Sequence, residues 1–392
     1  MTKTTITLYP SNWLYNAGVI GLLRVLKRIG DTQIISFDPG GSLTLNLSIM
    51  LSKYDRISYQ GREFVIPSIG LCWLLESWEQ LVPPDNIEKS DAEKIKEVWG
   101  KLFNTLYRGF LNSNTNYLFD KPKSSNESIV YFSKFLESLG KEDCYSDDRC
   151  SFCLSSSNFS YKNFFTSEHF RELGASSSEK GLPNSFWNLS SERSLRICDF
   201  CSFVLLNSHL AFTPLSDGSE IFINAPSFRV MYYLNKFARE VMGGMGLTQA
   251  RQKGDILAMS VMEYALRIQT TLGVWAGMNI ELISRQGGEI EFFSLPYEVT
   301  GLLSDRRIAG ILTQIGELSI LNLVLKQDYA RLIEIAYHLL RIGTKPYAER
   351  KKTENDFIRK TLYLERNRAN VVRVCQNIIS LYALIQEKRR NL

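Results

Sequence analysis

Two pairs of cysteines constrain this chain more than any other feature. Cys150-Ser-Phe-Cys153 and Cys198-Asp-Phe-Cys201 are separated by 44 residues. A CxxC turn sets two thiolates on one side of a tight loop, and two such turns supply the four sulfurs of a tetrahedral Zn2+ site. A lone pair would also suit a redox motif, whereas two pairs point to structural zinc. Such a site is closed and leaves no position for a catalytic water, so the ion would hold the chain together and do no chemistry. The alternative is a metal-free fold with four buried thiols. Leu154 and Ser202 stand directly after the second cysteine of each pair, where many zinc knuckles carry Gly. Cys72 and Cys375 lie in apolar surroundings and read as core. Cys144 is near enough to Cys150 to compete as a ligand.

Paired cysteines bind metal mainly in a reducing compartment. The first residues run straight into a strand-like alternation rather than a signal peptide, so a cytoplasmic protein is expected. No stretch of 18 apolar residues occurs. The longest apolar segment, Phe64 to Leu75, is broken by Pro67 and reads as core, so no membrane partner is expected. With 392 residues, 44% hydrophobic and 22% charged, the chain has the balance of a folded globular protein of two or three domains.

The expected class is α+β: a mixed N-terminal domain over 1–140, a zinc-binding insert with a return to that domain over 141–227, and a mainly helical C-terminal domain over 228–392. Thr4 to Tyr9 alternates as a strand. Ser11 is placed to cap a helix that runs to Ile29 and closes at Gly30, apolar almost all round and therefore buried. Gln33 to Phe37 and Ser42 to Leu47 read as strands joined at Pro39-Gly40-Gly41. Ala92 to Phe110 reads as an amphipathic helix. Leu111 to Lys123 is a polar loop in which Asn112, Asn114 and Asn116 alternate ahead of Lys121 and Lys123. From Phe228 the pattern is helical, interrupted by a hairpin near 279–294 around Gly287-Gly288.

No catalytic constellation is visible. His169, His209 and His338 fall in no metal-protease or deaminase pattern, and no nucleophile elbow, P-loop or kinase signature occurs. His338 sits in an apolar run and reads as a core histidine. The expectation is a protein that is not an enzyme. Charge, in contrast, is concentrated. The chain carries a net +5, yet Lys326 to Leu392 alone holds 15 Lys/Arg against 7 Asp/Glu. A long helix is predicted from Asp356 to Glu387. Its apolar stripe is Leu364, Val371, Val374, Ile378, Leu381 and Ile385. Arg359, Arg366 and Arg373 recur every seven residues off that stripe, with Lys360 and Arg368 beside them and Arg350, Lys351 and Lys352 upstream. Regularly spaced cations of this kind track a phosphate backbone without reading bases. The competing reading is a solvated helix face with internal ion pairs such as Asp356 to Lys360.

Taken together, the opening run from Tyr9 through Asn12, Tyr15 and Gly21 to Leu26, the two CxxC pairs and the helical C-terminus resemble the CXXC-CXXC family of CRISPR-associated proteins. That family is a branch of the large subunits of type I Cascade, associated with subtype I-B. The resemblance implies a non-catalytic subunit of a crRNA-guided antiviral defence complex, with structural Zn2+ and with crRNA, target double-stranded DNA and the other Cascade subunits as partners. A separate helicase-nuclease would be recruited in trans. In such complexes base pairing reads the target, while protein reads a short PAM in the duplex and handles the displaced strand. Under that reading Asn112, Asn114 and Asn116 are candidate PAM readers, since an amide both donates and accepts, with Lys121 and Lys123 on flanking phosphates. Asn12 and Tyr15, at the start of the first helix, form the second candidate site. Two other classes stay open: a zinc-ribbon protein that binds RNA outside CRISPR, and a metal-dependent nuclease whose acids come together on folding.

Overall fold

A computed structural model of the chain describes residues 5–59, 62–81, 125–139, 149–154, 164–165, 195–215, 218–244, 253–268, 279–286, 289–362 and 368–390. It mixes helices with several small antiparallel sheets and divides into two compact units. The first is Met1–Tyr232 with Ile283–Phe292, and the second Tyr233–Leu282 with Phe293–Leu392.

In the first unit, strand β1 (Thr5–Leu8) buries Ile6 and Leu8 and leaves its threonines outward. Pro10 and Ser11 end it, and helix α1 (Trp13–Ile29) follows. The cap falls one residue later than the sequence predicts. Asn12 Oδ1 accepts the Tyr15 N–H at 3.0 Å, while the Ser11 N–H donates to Asn16 Oδ1 at 2.8 Å. Gly30, in the left-handed region at φ 77°, closes the helix as expected. Strands β2 (Ile35–Phe37) and β3 (Leu43–Asn46) make the hairpin around Pro39-Gly40-Gly41, and β1 pairs with the other edge of β3. Asp38 fastens the turn by accepting from the hydroxyls of Ser42 and Thr44, each at 3.0 Å. A single helical turn, α2 (Leu47–Met50), leads into the pair β4 (Tyr54–Tyr59) and β5 (Arg62–Pro67). Helices α3 (Ser68–Leu81) and α4 (Ser125–Ser138) follow. The segment predicted as a helix over 92–110 and the Asn-rich loop of 111–123 lie outside the described residues.

Strands β6 (Phe164–Phe165) and β7 (Leu195–Arg196) pair just ahead of helix α5 (Asp199–Leu206). Next come β8 (Thr213–Pro214) and β9 (Glu220–Asn224). The hairpin β10 (Glu281–Gln286) and β11 (Glu289–Ser294) extends that pair into a four-stranded sheet ordered β11-β10-β9-β8. Backbone pairing to β9 is why Ile283–Phe292 counts with the first unit, although it lies among the C-terminal helices in sequence.

Helix α1 runs through the middle of this unit, and its polar side chains tie it to its neighbours. Asn16, buried, donates to Asn224 Oδ1 on β9 and to the Ser11 carbonyl, each at 2.9 Å. Arg24 and Arg28 reach Glu76 on α3 at 3.3 and 2.9 Å. On the same helix α3, Ser77 Oγ meets the buried His209 at 2.9 Å. Burial, with the Arg285 charge adding to it, pushes the His209 pKa down to about 3, so the ring is a neutral hydrogen-bonding clamp.

The tightest packing is between α1 and the chain that begins with α5. A Cβ on Gly18 would sit 2.5 Å from the Val204 carbonyl oxygen, and one on Gly21 would sit 1.9 Å from that of Asn207. Only a helix without side chains at these two positions lies this close to a neighbouring backbone.

The second unit is helical. Helix α6 (Phe228–Gly244) carries the unit boundary between Tyr232 and Tyr233. The remaining helices are α7 (Lys253–Ile268), α8 (Tyr297–Leu303), α9 (Arg306–Ile315), α10 (Leu318–Leu325), α11 (Tyr329–Gly343), α12 (Lys352–Thr361) and α13 (Arg368–Arg390). On α13 the predicted apolar stripe buries Val371, Val374, Ile378, Leu381 and Ile385, together with Cys375, whose thiol donates to the Ala336 carbonyl on α11 at 3.1 Å. Gly343 lets α11 approach Val371 and Val372. Two expectations are corrected here. The helix predicted over 356–387 is not continuous: α12 ends at Thr361 because Leu362 takes an extended backbone (φ −116°, ψ 102°). His338 is exposed on α11 beside Phe357 rather than buried in the core.

Replacing Gly21 with Ala is expected to destabilise the chain by about 1–3 kcal/mol, the usual range for forcing a methyl into a packed core. Gly30→Ala has nothing within 4 Å of the new methyl and meets only the left-handed backbone, at about 1 kcal/mol. Denaturant titration of the two variants side by side checks the order.

Candidate metal centre

Each cysteine pair is delivered by a different local device. Cys150 to Cys153 is a turn closed by the Leu154 N–H donating to the Cys150 carbonyl at 2.9 Å. Closing it requires Leu154 to adopt φ 57°, a left-handed conformation that side chains other than Gly resist. This backbone is the physical reason that many zinc knuckles carry Gly at the position. The second pair opens α5. Cys198 is the N-cap, its sulfur accepting the Cys201 N–H at 3.4 Å, and Cys201 lies one turn in. The Cys198 N–H in turn donates to Cys150 Sγ at 3.4 Å. The pairing of Phe164 and Phe165 with Arg196 and Leu195 returns the chain directly ahead of Cys198.

The four sulfurs of Cys150, Cys153, Cys198 and Cys201 lie within 4.8 Å of one another, and all four residues are buried. Cys153 and Cys198 are 3.7 Å apart between sulfurs. Four sulfurs at about 2.3 Å from one tetrahedral ion stand about 3.8 Å apart, whereas a disulfide needs about 2.05 Å. The donor set therefore fits one metal ion. Burial pushes the Cys198 and Cys201 thiols well up, and their sulfur neighbours add to the effect. A bound divalent ion releases the protons that burial favours on Cys198 and Cys201.

Around the sulfurs, Tyr15 is fully buried. Its ring stacks on Phe152 at a centroid distance of 4.4 Å, and its hydroxyl is 3.4 Å from Cys201 Sγ. Burial, then the nearby sulfurs, raise the Tyr15 phenol well above its ordinary value, so it keeps its proton. Asp199, buried between the second pair of cysteines, accepts from Ser138 Oγ at 3.1 Å and secures α5 to α4.

Residues 143–213, which contain both CxxC pairs, match the family model of a CRISPR-associated protein (Cas_CXXC_CXXC). No curated protein and no solved structure matches the chain. The family match, with its motif folded into a four-sulfur cluster, supports a CRISPR-associated protein of this family.

The other sequence-predicted site residues are placed less uniformly. Tyr15 cannot read a DNA groove from where it stands, since it is sealed against the cysteine cluster. Asn12 is half-buried, with Oδ1 committed to capping α1. Asn112, Asn114, Asn116, Lys121, Lys123, Cys144, Arg366 and, from the predicted apolar stripe, Leu364 lie outside the described residues. Arg350 is buried with its Nε donating to the Lys345 carbonyl, so it shapes the turn before α12 rather than facing solvent. Lys351 and Lys352 are exposed at the start of α12 and Arg359 is exposed near its end. Arg373 is exposed on α13, which begins at Arg368, while Lys360 lies on α12. Arg359 and Arg373 thus belong to two helices, and their spacing in sequence does not describe one face. Cys72 is half-exposed rather than core. Spacing alone pointed to the cysteines but not to the role of Tyr15. The recurrence of Gly18 and Gly21 three and six residues after Tyr15 marks a face of close approach, but it does not say that the approach is to a sulfur.

Elemental analysis of the purified chain is expected to find one metal ion per molecule. Cys→Ser at any of the four positions should cost the ion and destabilise the first unit, because the cluster is part of its buried core. Leu154→Gly is expected to raise stability by about 0.5–1 kcal/mol by removing the left-handed strain at an exposed side chain, measurable as a higher denaturant midpoint.

Proposed function

We propose that this chain is a non-catalytic large subunit of a crRNA-guided type I CRISPR complex, of subtype I-B, in which Zn2+ in the four-cysteine centre is structural. The observation that carries the reading is the family match over 143–213, with the motif's four cysteines gathered in one buried cluster. Zinc is the ion of choice for four thiolates in a closed site with no open position, which suits a scaffold and offers a substrate nothing to bind. In this role the protein reads the PAM in duplex DNA and stabilises the R-loop, with the crRNA, the other Cascade subunits and a helicase-nuclease as partners. The Asn112, Asn114 and Asn116 loop with Lys121 and Lys123 is the PAM candidate.

Several C-terminal cations are engaged within the helical unit. Arg307 pairs with Glu387 at 3.4 Å, Lys388 with Asp305 at 3.5 Å, Lys345 with Glu354 at 2.7 Å and Arg331 with Glu334 at 2.5 Å. Arg389 lies over the Tyr329 ring at 5.1 Å. These charges support the packing of the helices. Lys351, Lys352, Arg359 and Arg373 are exposed and form the proposed DNA-backbone set.

Purification of the tagged chain from its host should bring down crRNA and further subunits; a chain that comes down alone, without RNA, contradicts the proposal. In the assembled complex, Ala at Lys351, Lys352, Arg359 and Arg373 together should weaken binding alike across target sequences. It should also flatten the log–log salt dependence by about 0.9 for each phosphate that these side chains neutralise. An unchanged slope assigns those side chains to solvent or to protein.

A further inference from the structure

The metal centre has a neighbour that its ligand motif does not include. Tyr15 comes from α1, 135 residues before the first ligand, and it touches both cysteine pairs at once. Its ring stacks on Phe152, inside the first CxxC turn, with an interplanar angle of 25°. Its hydroxyl lies 3.4 Å from the sulfur of Cys201, in the second. The residue has no exposed surface, so no water competes for the hydroxyl.

A tetrathiolate around a divalent ion carries two net negative charges, and here it would carry them in the core of the first unit. Each N–H or O–H aimed at a sulfur spreads that charge. Among the described residues the backbone provides the Cys198 N–H toward Cys150 and the Cys201 N–H toward Cys198, both from the second CxxC pair itself. The sulfur of Cys201 has within reach a hydroxyl from another element, that of Tyr15.

We propose that Tyr15 is a positioning residue of the metal centre, its phenol O–H donating to the Cys201 thiolate so that α1 and the metal hold each other in place. The inference rests on the reading of the four cysteines as a metal site. Groups that hydrogen-bond a metal ligand typically contribute about 10–100-fold to metal affinity. Contact with both pairs also means that withdrawing the ion turns the partner of a buried hydroxyl on α1 from a thiolate into a thiol, a weaker acceptor, so metal loss is felt along that helix and not only in the loops.

Tyr15→Phe keeps the ring and its stacking and removes only the donor. The protein is loaded with Co2+, whose sulfur-to-metal charge-transfer band reports the electron density on the ligating sulfurs, and separately with Zn2+, whose transfer to a chelator gives affinity. The expected result is one ion per chain in both proteins, with a charge-transfer band at longer wavelength in Tyr15→Phe. Zinc affinity should be about tenfold lower or more. Phe152→Leu, which disturbs the stacking and keeps the hydroxyl, should leave the band where it is in the unaltered chain. If Tyr15→Phe matches the unaltered chain in band and affinity, or if Phe152→Leu moves the band as far, the hydroxyl does not serve the metal and the inference falls. An unaltered chain that takes up neither Co2+ nor Zn2+ overturns the metal reading itself, a result distinguishable from the others before any variant is made.

Discussion

The first unit depends on one helix lying against another stretch of chain in a fixed register. Tyr15 meets Cys201, Gly18 meets Val204, Gly21 meets Asn207, and Arg24 donates to the Leu210 carbonyl. Each pair is 186 residues apart in sequence, and each step is three residues on both sides. Two segments that keep step in this way run parallel, and they keep step because two glycines remove the side chains that would hold the axes apart. The close approach lets a tyrosine at the start of α1 reach a cysteine sulfur, and an arginine near its end reach a carbonyl beyond α5. Asn16 and the acids of α3 then fix the other faces of α1.

This register makes the cysteine cluster part of the core rather than an appendage stapled by a metal. Four buried thiols pack as small apolar groups while they stay protonated, but they are costly if they ionise without a counter-charge. A divalent ion would supply that counter-charge, and the N-terminus of α5, where Cys198 and Cys201 sit, would favour the negative charge that remains. With an ion bound, the fold would depend on chemistry that its hydrophobic pattern does not contain. Trp13, Leu14, Leu22 and Leu26 would bury their surface in many arrangements; the sulfurs and the two glycines accept only one.

Much of this was legible in the sequence, and the failures have a common cause. The CxxC spacing encodes ligand geometry within four residues, so it survives reading in one dimension. The same holds for Gly30 as a helix stop and for Pro39-Gly40-Gly41 as a hairpin turn. The reach of Tyr15 is different: its partners lie 137 and 186 residues away, and nothing near Tyr15 distinguishes a residue that faces a sulfur from one that faces solvent. His338 was misplaced because an apolar neighbourhood in sequence is not one in space; on α11 it falls on the outer side of a helix whose inner side is Leu332, Ala336 and Leu339. The arginine row failed at Leu362, where one extended residue ended a helix whose periodicity continued on both sides of it.

The basic C-terminus shows how far a charge count can be taken. A surplus of cations over a segment says nothing about which acids they will meet, and some of those acids lie outside it. Asp305, which caps α9, draws Lys388, and Arg307 in the first turn of the same helix draws Glu387. Those pairs lock the end of α13 to the start of α9: Lys388 meets an acid from outside the segment, while Arg307, itself outside, takes up one of the segment's own acids, so the surplus is redistributed rather than reduced. The exposed cations proposed for a polyanion stand at the beginning and end of α12 and at one position of α13. A few such cations bind a phosphate chain weakly on their own, with affinity that falls steeply as salt rises. In the proposed complex that property would suit a surface which must release non-target nucleic acid, with the choice of sequence left to base pairing.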